Sequence, residues 1–178
     1  MSNVARVLVS EAEFLRLPET TDKVELIDGE VNVSPSPTYW HQEVLARLVG
    51  GLRQWAAMQQ GPVLVGQAPL DVRFAPGRIL QPDAFVAFTE LPASHEGPID
   101  QIPALCVEVL SQNRLYDRVT KRFVYAAAGV AELWTVEPTG LLERWFGPGL
   151  AENEACSDEL RTPLLPGFSF DLNQLRPR

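Results

Sequence analysis

Two acids stand in apolar company. Asp83 follows Pro82 and opens the run Ala84-Phe85-Val86-Ala87-Phe88, in which Ala84, Val86 and Phe88 fill one face while Phe85 and Ala87 share the face of Asp83. Apolar residues on both faces mark a central strand, so this carboxylate belongs near an inner strand end. Glu108 interrupts Leu105-Cys106-Val107 and Val109-Leu110, with Cys106 and Leu110 as same-face neighbours. A buried carboxylate costs several kcal/mol unless a cation or several hydrogen bonds compensate it. One divalent hard cation would explain both acids, because one or two carboxylates completed by waters is how magnesium is usually held. Glu25, sharing a strand face with Ile27, offers a third acid. The competing explanation pairs each acid with one of the 13 arginines or makes it a cap at a strand end.

A basic face follows Glu108. Arg114, Arg118, Lys121 and Tyr125 are spaced by four, three and four residues, which stacks them on one side of a helix, away from an apolar stripe of Leu115, Val119, Phe123 and Ala126. Such a face reads either as a phosphate-binding patch or as a solvated helix surface. The only lysines are Lys23 and Lys121. His41 is a lone histidine whose spacing assigns it no role, and Trp40 beside it suits either stacking on a base or filling the core. Ser34, Ser36 and Ser111 lack the glycines of a nucleophile elbow. The glycines form neither a dinucleotide fingerprint nor a Walker loop. Cys106 and Cys156 lie far apart with no C-x-x-C pattern, which supports neither a disulfide framework nor a zinc site.

These residues must be carried by alternating helices and strands. Ser10 with Glu13 is a capping box, predicting a short helix over about Glu11 to Leu17. Lys23 to Ile27 and Glu30 to Ser34 flank Asp28-Gly29, the strongest short hairpin signal. Thr38 is a plausible cap for a helix to about Gln60, with Leu45, Leu48, Leu52 and Trp55 on one face and Gly50-Gly51 marking close packing. Strands are predicted at Val63 to Gly66, Pro69 to Phe74, Ile79 to Phe88 and Ala104 to Leu110. The stripe-bearing helix ends at Gly129. A second hairpin joins Glu132 to Val136 with Leu141 to Phe146, displaying Trp145 and Phe146. Gly147 to Pro163 reads as irregular, and Phe168 to Leu172 as a last edge strand. No repeat or linker divides residues 1–178, so one α/β domain is expected.

The chain of 178 residues carries 15 basic and 23 acidic side chains, a net charge of -8, which argues against coating nucleic acid by bulk charge. No signal-peptide or membrane-spanning pattern is present, so a cytoplasmic protein without membrane attachment is expected. The acids divide into Asp83, Glu108 and Glu25 near the candidate site and Glu152, Glu154, Asp158 and Glu159 in the tail, so a local phosphate site remains compatible with the total.

Taken in order, Glu25-Leu26-Ile27-Asp28-Gly29-Glu30, Ser34-Pro35-Ser36-Pro37 with His41, Gln81-Pro82-Asp83, Val107-Glu108-Val109-Leu110-Ser111, Asp117 with Lys121 and Tyr125, and Gly129-Val130 with Glu132-Leu133-Trp134 and Val136 resemble the Uma family. That group is placed among the restriction-endonuclease-like, PD-(D/E)XK nucleases. The resemblance runs from about Ser10 to Leu172. It implies an α/β fold with a mixed β-sheet flanked by helices and additional β-hairpins. It also implies a metal-dependent endonuclease acting on DNA with Mg2+ or Mn2+, and a homodimer. Asp83 would be the metal-bridging carboxylate and Glu108 the acid of the second half-motif. The motif lysine would fall at residue 110, which is leucine here; Lys121 takes the place to which this family moves it. Glu25 resembles an additional early acid, while Gln81 and His41 match positions near the site. Arg114 and Arg118 would touch adjacent phosphates. Asp83 and Glu108, brought together without an ion, should repel one another and leave at least one carboxyl with a raised pKa. A nuclease-fold module that binds or assembles without cutting is the alternative, favoured by Leu110 and the net charge. A dimeric scaffold using Trp145 and Phe146 is the third reading.

Overall fold

A computed structural model describes residues 8–18, 20–110, 116–137 and 139–176, apart from the side chains of 116–118. The capping box forms as written: the Glu13 backbone N–H donates to Ser10 Oγ at 3.3 Å, and the Ser10 N–H donates to Glu13 Oε2 at 2.8 Å. Helix α1 spans Glu11–Phe14 and is shorter than predicted. Strands β1 (Lys23–Ile27) and β2 (Glu30–Ser34) have the predicted bounds. Asp28 and Gly29 both take positive φ, 51° and 91°, which the tight two-residue turn requires. Helix α2 spans Tyr39–Ala56, its first turn capped by Thr38 Oγ1, which accepts the His41 backbone N–H at 3.2 Å.

The remaining strands are β3 (Leu64–Gln67), β4 (Val72–Ala75), β5 (Arg78–Leu80), β6 (Ala84–Ala87), β7 (Leu105–Val109), β8 (Glu132–Val136), β9 (Leu142–Phe146), β10 (Glu152–Cys156), β11 (Glu159–Leu160) and β12 (Phe170–Asp171). They build a six-stranded sheet in the order β10-β9-β8-β7-β6-β3, a four-stranded sheet in the order β2-β1-β5-β4, and the pair β11-β12. In the larger sheet β7 and β8 run parallel and the other neighbours antiparallel. A parallel pair needs a crossover. Here it contains a π-helical stretch, Tyr116–Lys121, continuing into α3 (Arg122–Ala128), which stops at Gly129 with φ 85°.

Each face of the larger sheet has its own core. Val44, Leu45, Leu48, Leu52 and Trp55 of α2 pack with Val86, Leu105, Val107 and Trp134, joined by Phe168 and Phe170 from the tail. On the opposite face Val124 and Tyr125 of α3 meet Phe85, Cys106 and Leu133, together with Val72, Phe74 and Leu80 of the smaller sheet. Gly51 admits the close approach expected at the glycine pair, since a Cβ there would lie 2.7 Å from the Phe170 ring.

Four expectations need correction. The segment Ile79 to Phe88 is two strands in different sheets, broken at Gln81-Pro82-Asp83, where the proline offers no donor to a ladder. The stretch Glu152–Cys156, expected to be irregular, pairs with β9 as an edge strand; its side chains are mostly exposed, so no apolar alternation announces it. Trp145 and Phe146 are half-buried rather than displayed, with the Arg122 guanidinium 4.0 Å from the Trp145 ring centroid and that of Arg144 4.2 Å from the Phe146 ring. The predicted stripe is inward only at its end: Val119 and Phe123 are exposed, Ala126 is half-buried against the core, and Leu115 lies outside the described residues. Among the described residues no helix is long and apolar enough to cross a membrane.

Candidate active site

The antiparallel register that pairs Ala84 with Val107 leaves Asp83 one step beyond β6, beside Glu108, the penultimate residue of β7. Backbone confirms the approach: the Val109 N–H donates to Asp83 Oδ2 at 2.8 Å. Pairing of β1 with β5, Leu26 opposite Ile79, draws the smaller sheet to the same corner and delivers Lys23 and Glu25. The crossover helix supplies Lys121 and Tyr125 from the other side. The acids are deeply enclosed, with Glu25 at 0%, Glu108 at 1% and Asp83 at 5% exposure.

Two ammonium groups bind the three carboxylates. Lys121 Nζ lies 3.0 Å from Glu25 Oε1 and 3.1 Å from Glu108 Oε2. Lys23 Nζ lies 2.7 Å from Asp83 Oδ1 and 3.7 Å from Glu108 Oε2. The arginine pairing offered as the competing explanation is what Glu132 does, accepting from Arg144 Nη1 at 2.7 Å; the acids of this corner take the two lysines instead. The Tyr125 hydroxyl donates to Glu108 Oε1 at 2.5 Å, and the Gln81 backbone N–H donates to Glu25 Oε1 at 2.9 Å. His41 Nε2 lies 3.6 Å from Asp83 Oδ2.

Burial is the largest influence on both central acids, yet they move in opposite directions. It pushes Glu108 up to about 7, with Lys121 and Lys23 pulling back and Asp83 adding a smaller upward push. For Asp83 burial is outweighed by Lys23, Lys121 and His41 acting together, and its pKa falls below the ordinary value. One raised carboxyl was expected from mutual repulsion; it is present, but desolvation leads and repulsion is the lesser cause. Burial lowers and the neighbouring acids raise the Lys23 ammonium, and the acids prevail, so it stays charged.

A cavity of about 490 Å³ opens over this corner, walled by the Ser34 to Pro37 loop and His41, with Asp83, Glu108 and Leu110 in its lining. Gln81 also lines it. The Gln81 Nε2 donates to Asp71 Oδ1 at 2.9 Å, and the amide cannot be turned over without setting its oxygen against that carboxylate. Gln81 Oε1 is therefore fixed as a buried acceptor with no hydrogen-bond partner among the described residues. Two carboxylates and an orphaned amide oxygen thus line one cavity, and hard oxygens are the donors that suit magnesium or manganese. One ammonium, that of Lys23, touches both Asp83, at 2.7 Å, and Glu108, at 3.7 Å, so a single cation already bridges the two carboxylates; a magnesium ion, with ligands near about 2.1 Å, would draw their oxygens to within about 4 Å of one another.

Of the residues expected at the site, Asp83, Glu108, Glu25, Lys121, His41 and Gln81 converge. Arg114 lies outside the described residues, as does the side chain of Arg118. Lys121 and Tyr125 do not extend a surface patch with them but turn inward to Glu108. Lys23 was missed, although it stands two residues before Glu25 on the same strand face and is one of only two lysines.

The model of the family described as "Putative restriction endonuclease" matches residues 11–173. The chain belongs to the Uma2 family. Among solved structures, this Uma2 chain is similar to the crystal structure of "a putative nuclease belonging to DUF820" from Anabaena variabilis ATCC 29413. The two share 21% identity with a TM-score of 0.75, over 94% of this chain and 97% of that one. At that identity the likeness establishes the fold, a restriction-endonuclease-like mixed α/β architecture. Comparison with the curated proteins returns no match.

Proposed function

We propose that this Uma2 chain is a metal-dependent endonuclease hydrolysing phosphodiester bonds in DNA, with Mg2+ or Mn2+ held by Asp83 and Glu108. The convergence of those two carboxylates at the base of a cavity, within reach of one cation, carries the reading. When bound, the ion would polarise the scissile phosphate and lower the pKa of an attacking water. The protein orients the ligands. The Val109 N–H fixes Asp83, and Tyr125 with Lys121 fixes Glu108 while leaving that carboxyl easy to protonate near neutrality. Gln81 Oε1, in the lining of the same cavity, would be available to the ion as one further oxygen. The proline-rich loop and His41 close one side of the cavity and would limit how the backbone of the substrate enters.

The observation favouring a non-cutting module is Leu110 in the cavity lining, at the position where the nuclease motif carries lysine. One experiment separates the readings. Supercoiled plasmid is incubated with the purified chain and magnesium or manganese, beside Asp83→Asn and Glu108→Gln. Nicking by the wild type that falls to background in both variants is expected. Nicking that persists unchanged in both would sink the site, and its absence from the wild type leaves the binding module as the better account.

A further inference from the structure

We propose that Lys23 is the lysine that meets the substrate phosphate, and that Lys121 is a positioning residue that never touches it. The proposal rests on the nuclease reading above and revises which lysine serves it. Lys121 is sealed: its side chain is 1% exposed, both its carboxylate partners are equally enclosed, and it does not line the cavity. An ammonium held there can fix Glu108 against Glu25 but cannot reach a polymer outside.

Lys23 differs on each count. Its side chain is 18% exposed, and it is the only lysine or arginine among the described residues lining the cavity. Its Nζ lies between the oxygens of Asp83 and Glu108, the same oxygens that a divalent ion would take. An ion at those oxygens would repel the ammonium at short range, where unscreened like charges interact strongly. The four-carbon stem, rooted at the first residue of β1, lets the head swing toward the cavity mouth without moving the strand. A compact ammonium with three donors suits the non-bridging oxygens of a phosphate. With those carboxylates committed to an ion, the Lys23 ammonium would be free to take the phosphate.

The test exploits the presence of only two lysines in the chain. The full-length protein is treated with an acetylating reagent, with and without a fluorescent DNA duplex, calcium replacing magnesium so that the duplex stays intact. Peptide mass spectrometry reads each lysine. Acetylation of Lys23 in the free chain, its loss when duplex is bound, and no acetylation of Lys121 in either sample are the expected results. In parallel, duplex affinity is followed against salt. Lys23→Met should flatten the log–log slope by about 0.9, the share of one phosphate contact, and Lys23→Arg should restore it. Duplex binding that leaves Lys23 acetylation unchanged, or a Lys23→Met slope equal to the wild-type slope, overturns the assignment and leaves the nuclease reading standing. Failure of the wild type to bind duplex in calcium or in magnesium overturns both.

Discussion

Replacing Lys121 with methionine keeps most of the side-chain volume and removes only the charge, so the loss of stability reports on the clamp between two buried carboxylates. Glu25 and Glu108 lie 3.0 Å and 3.1 Å from the ammonium, and all three side chains are at most 1% exposed. Breaking a buried pair costs about 3–5 kcal/mol, because the remaining ion is left uncompensated. The two acids do not share that cost equally. Glu108 titrates near 7, so at neutral pH the variant escapes its unpaired charge by binding a proton at a cost under about 0.5 kcal/mol. Glu25 keeps the Gln81 N–H but loses its ammonium, and supplies the larger share, about 3 kcal/mol. Above neutrality the wild type ionises Glu108 with Lys121 still beside it, whereas the variant must hold its proton. The gap should therefore widen by up to about 1.4 kcal/mol per pH unit. Urea unfolding followed by circular dichroism, at pH 7 and about 1.5 units above, with chelator present, measures both quantities. A loss below about 1 kcal/mol, or a gap indifferent to pH, would refute the clamp.

Other consequences can be checked with the same methods. Glu108 has a folded pKa raised from 4.5 to about 7, so the folded chain holds that proton more tightly than the unfolded chain does. Its burial penalty is complete above pH 7 and is relieved as pH falls toward 4.5, giving a stability that declines by up to about 1.4 kcal/mol per unit as pH rises through that window. Glu108→Gln should flatten the decline. Asp83 acts in the opposite sense: its depressed pKa contributes stability present above the unfolded value of 3.8 and lost as pH falls below it, a loss that Asp83→Asn should abolish in acid unfolding curves. Gly66→Ala should lower the melting temperature sharply, because a Cβ there would lie 2.1 Å from the Phe85 ring buried across the strand pair. Overpacking of this kind costs about 1–3 kcal/mol; an unchanged melting temperature would mean that the ring moves aside freely.

The parts of the fold legible in the sequence are those decided by local chemistry. Asp28-Gly29 closes its hairpin because both residues tolerate positive φ, and Ser10 with Glu13 caps its helix because donors and acceptors three residues apart meet in one turn. Asp83 and Glu108 were visible because a carboxylate among apolar neighbours must be explained by something distant. Lys23 was not visible, since a lysine at a strand start ordinarily points to water and only the docking of a second sheet turns it inward. The crossover helix was misread for a geometric reason. Its stripe assumed a period of 3.6 throughout, whereas Tyr116–Lys121 is wound more loosely, as a π-helix. The phase therefore slips, Val119 and Phe123 face out, and Lys121 and Tyr125 face in. Strand β10 escaped notice because its sequence, Glu-Asn-Glu-Ala-Cys, has no apolar face; its acids suit an edge that must not recruit another strand.

The corner between the two sheets also has a consequence for how the molecule comes apart. Glu108, Lys121 and Tyr125 belong to one crossover unit and meet over 13 and 17 residues of chain, whereas the Lys23–Asp83 contact spans 60 and the Gln81–Glu25 contact 56. Contacts of long span carry the larger loop-closure cost. An opening that lifts the four-stranded sheet would leave the core between α2 and the larger sheet in place, with Glu108 still paired with Lys121 and hydrogen-bonded by Tyr125. It would nevertheless remove Lys23 and Glu25 together. Completion of the site is thus tied to the docking of β1, and a chain with a well-formed core but an undocked hairpin would be folded by most spectroscopic measures yet unable to assemble the constellation. The hairpin acts as a structural licence, withheld until both sheets are in register.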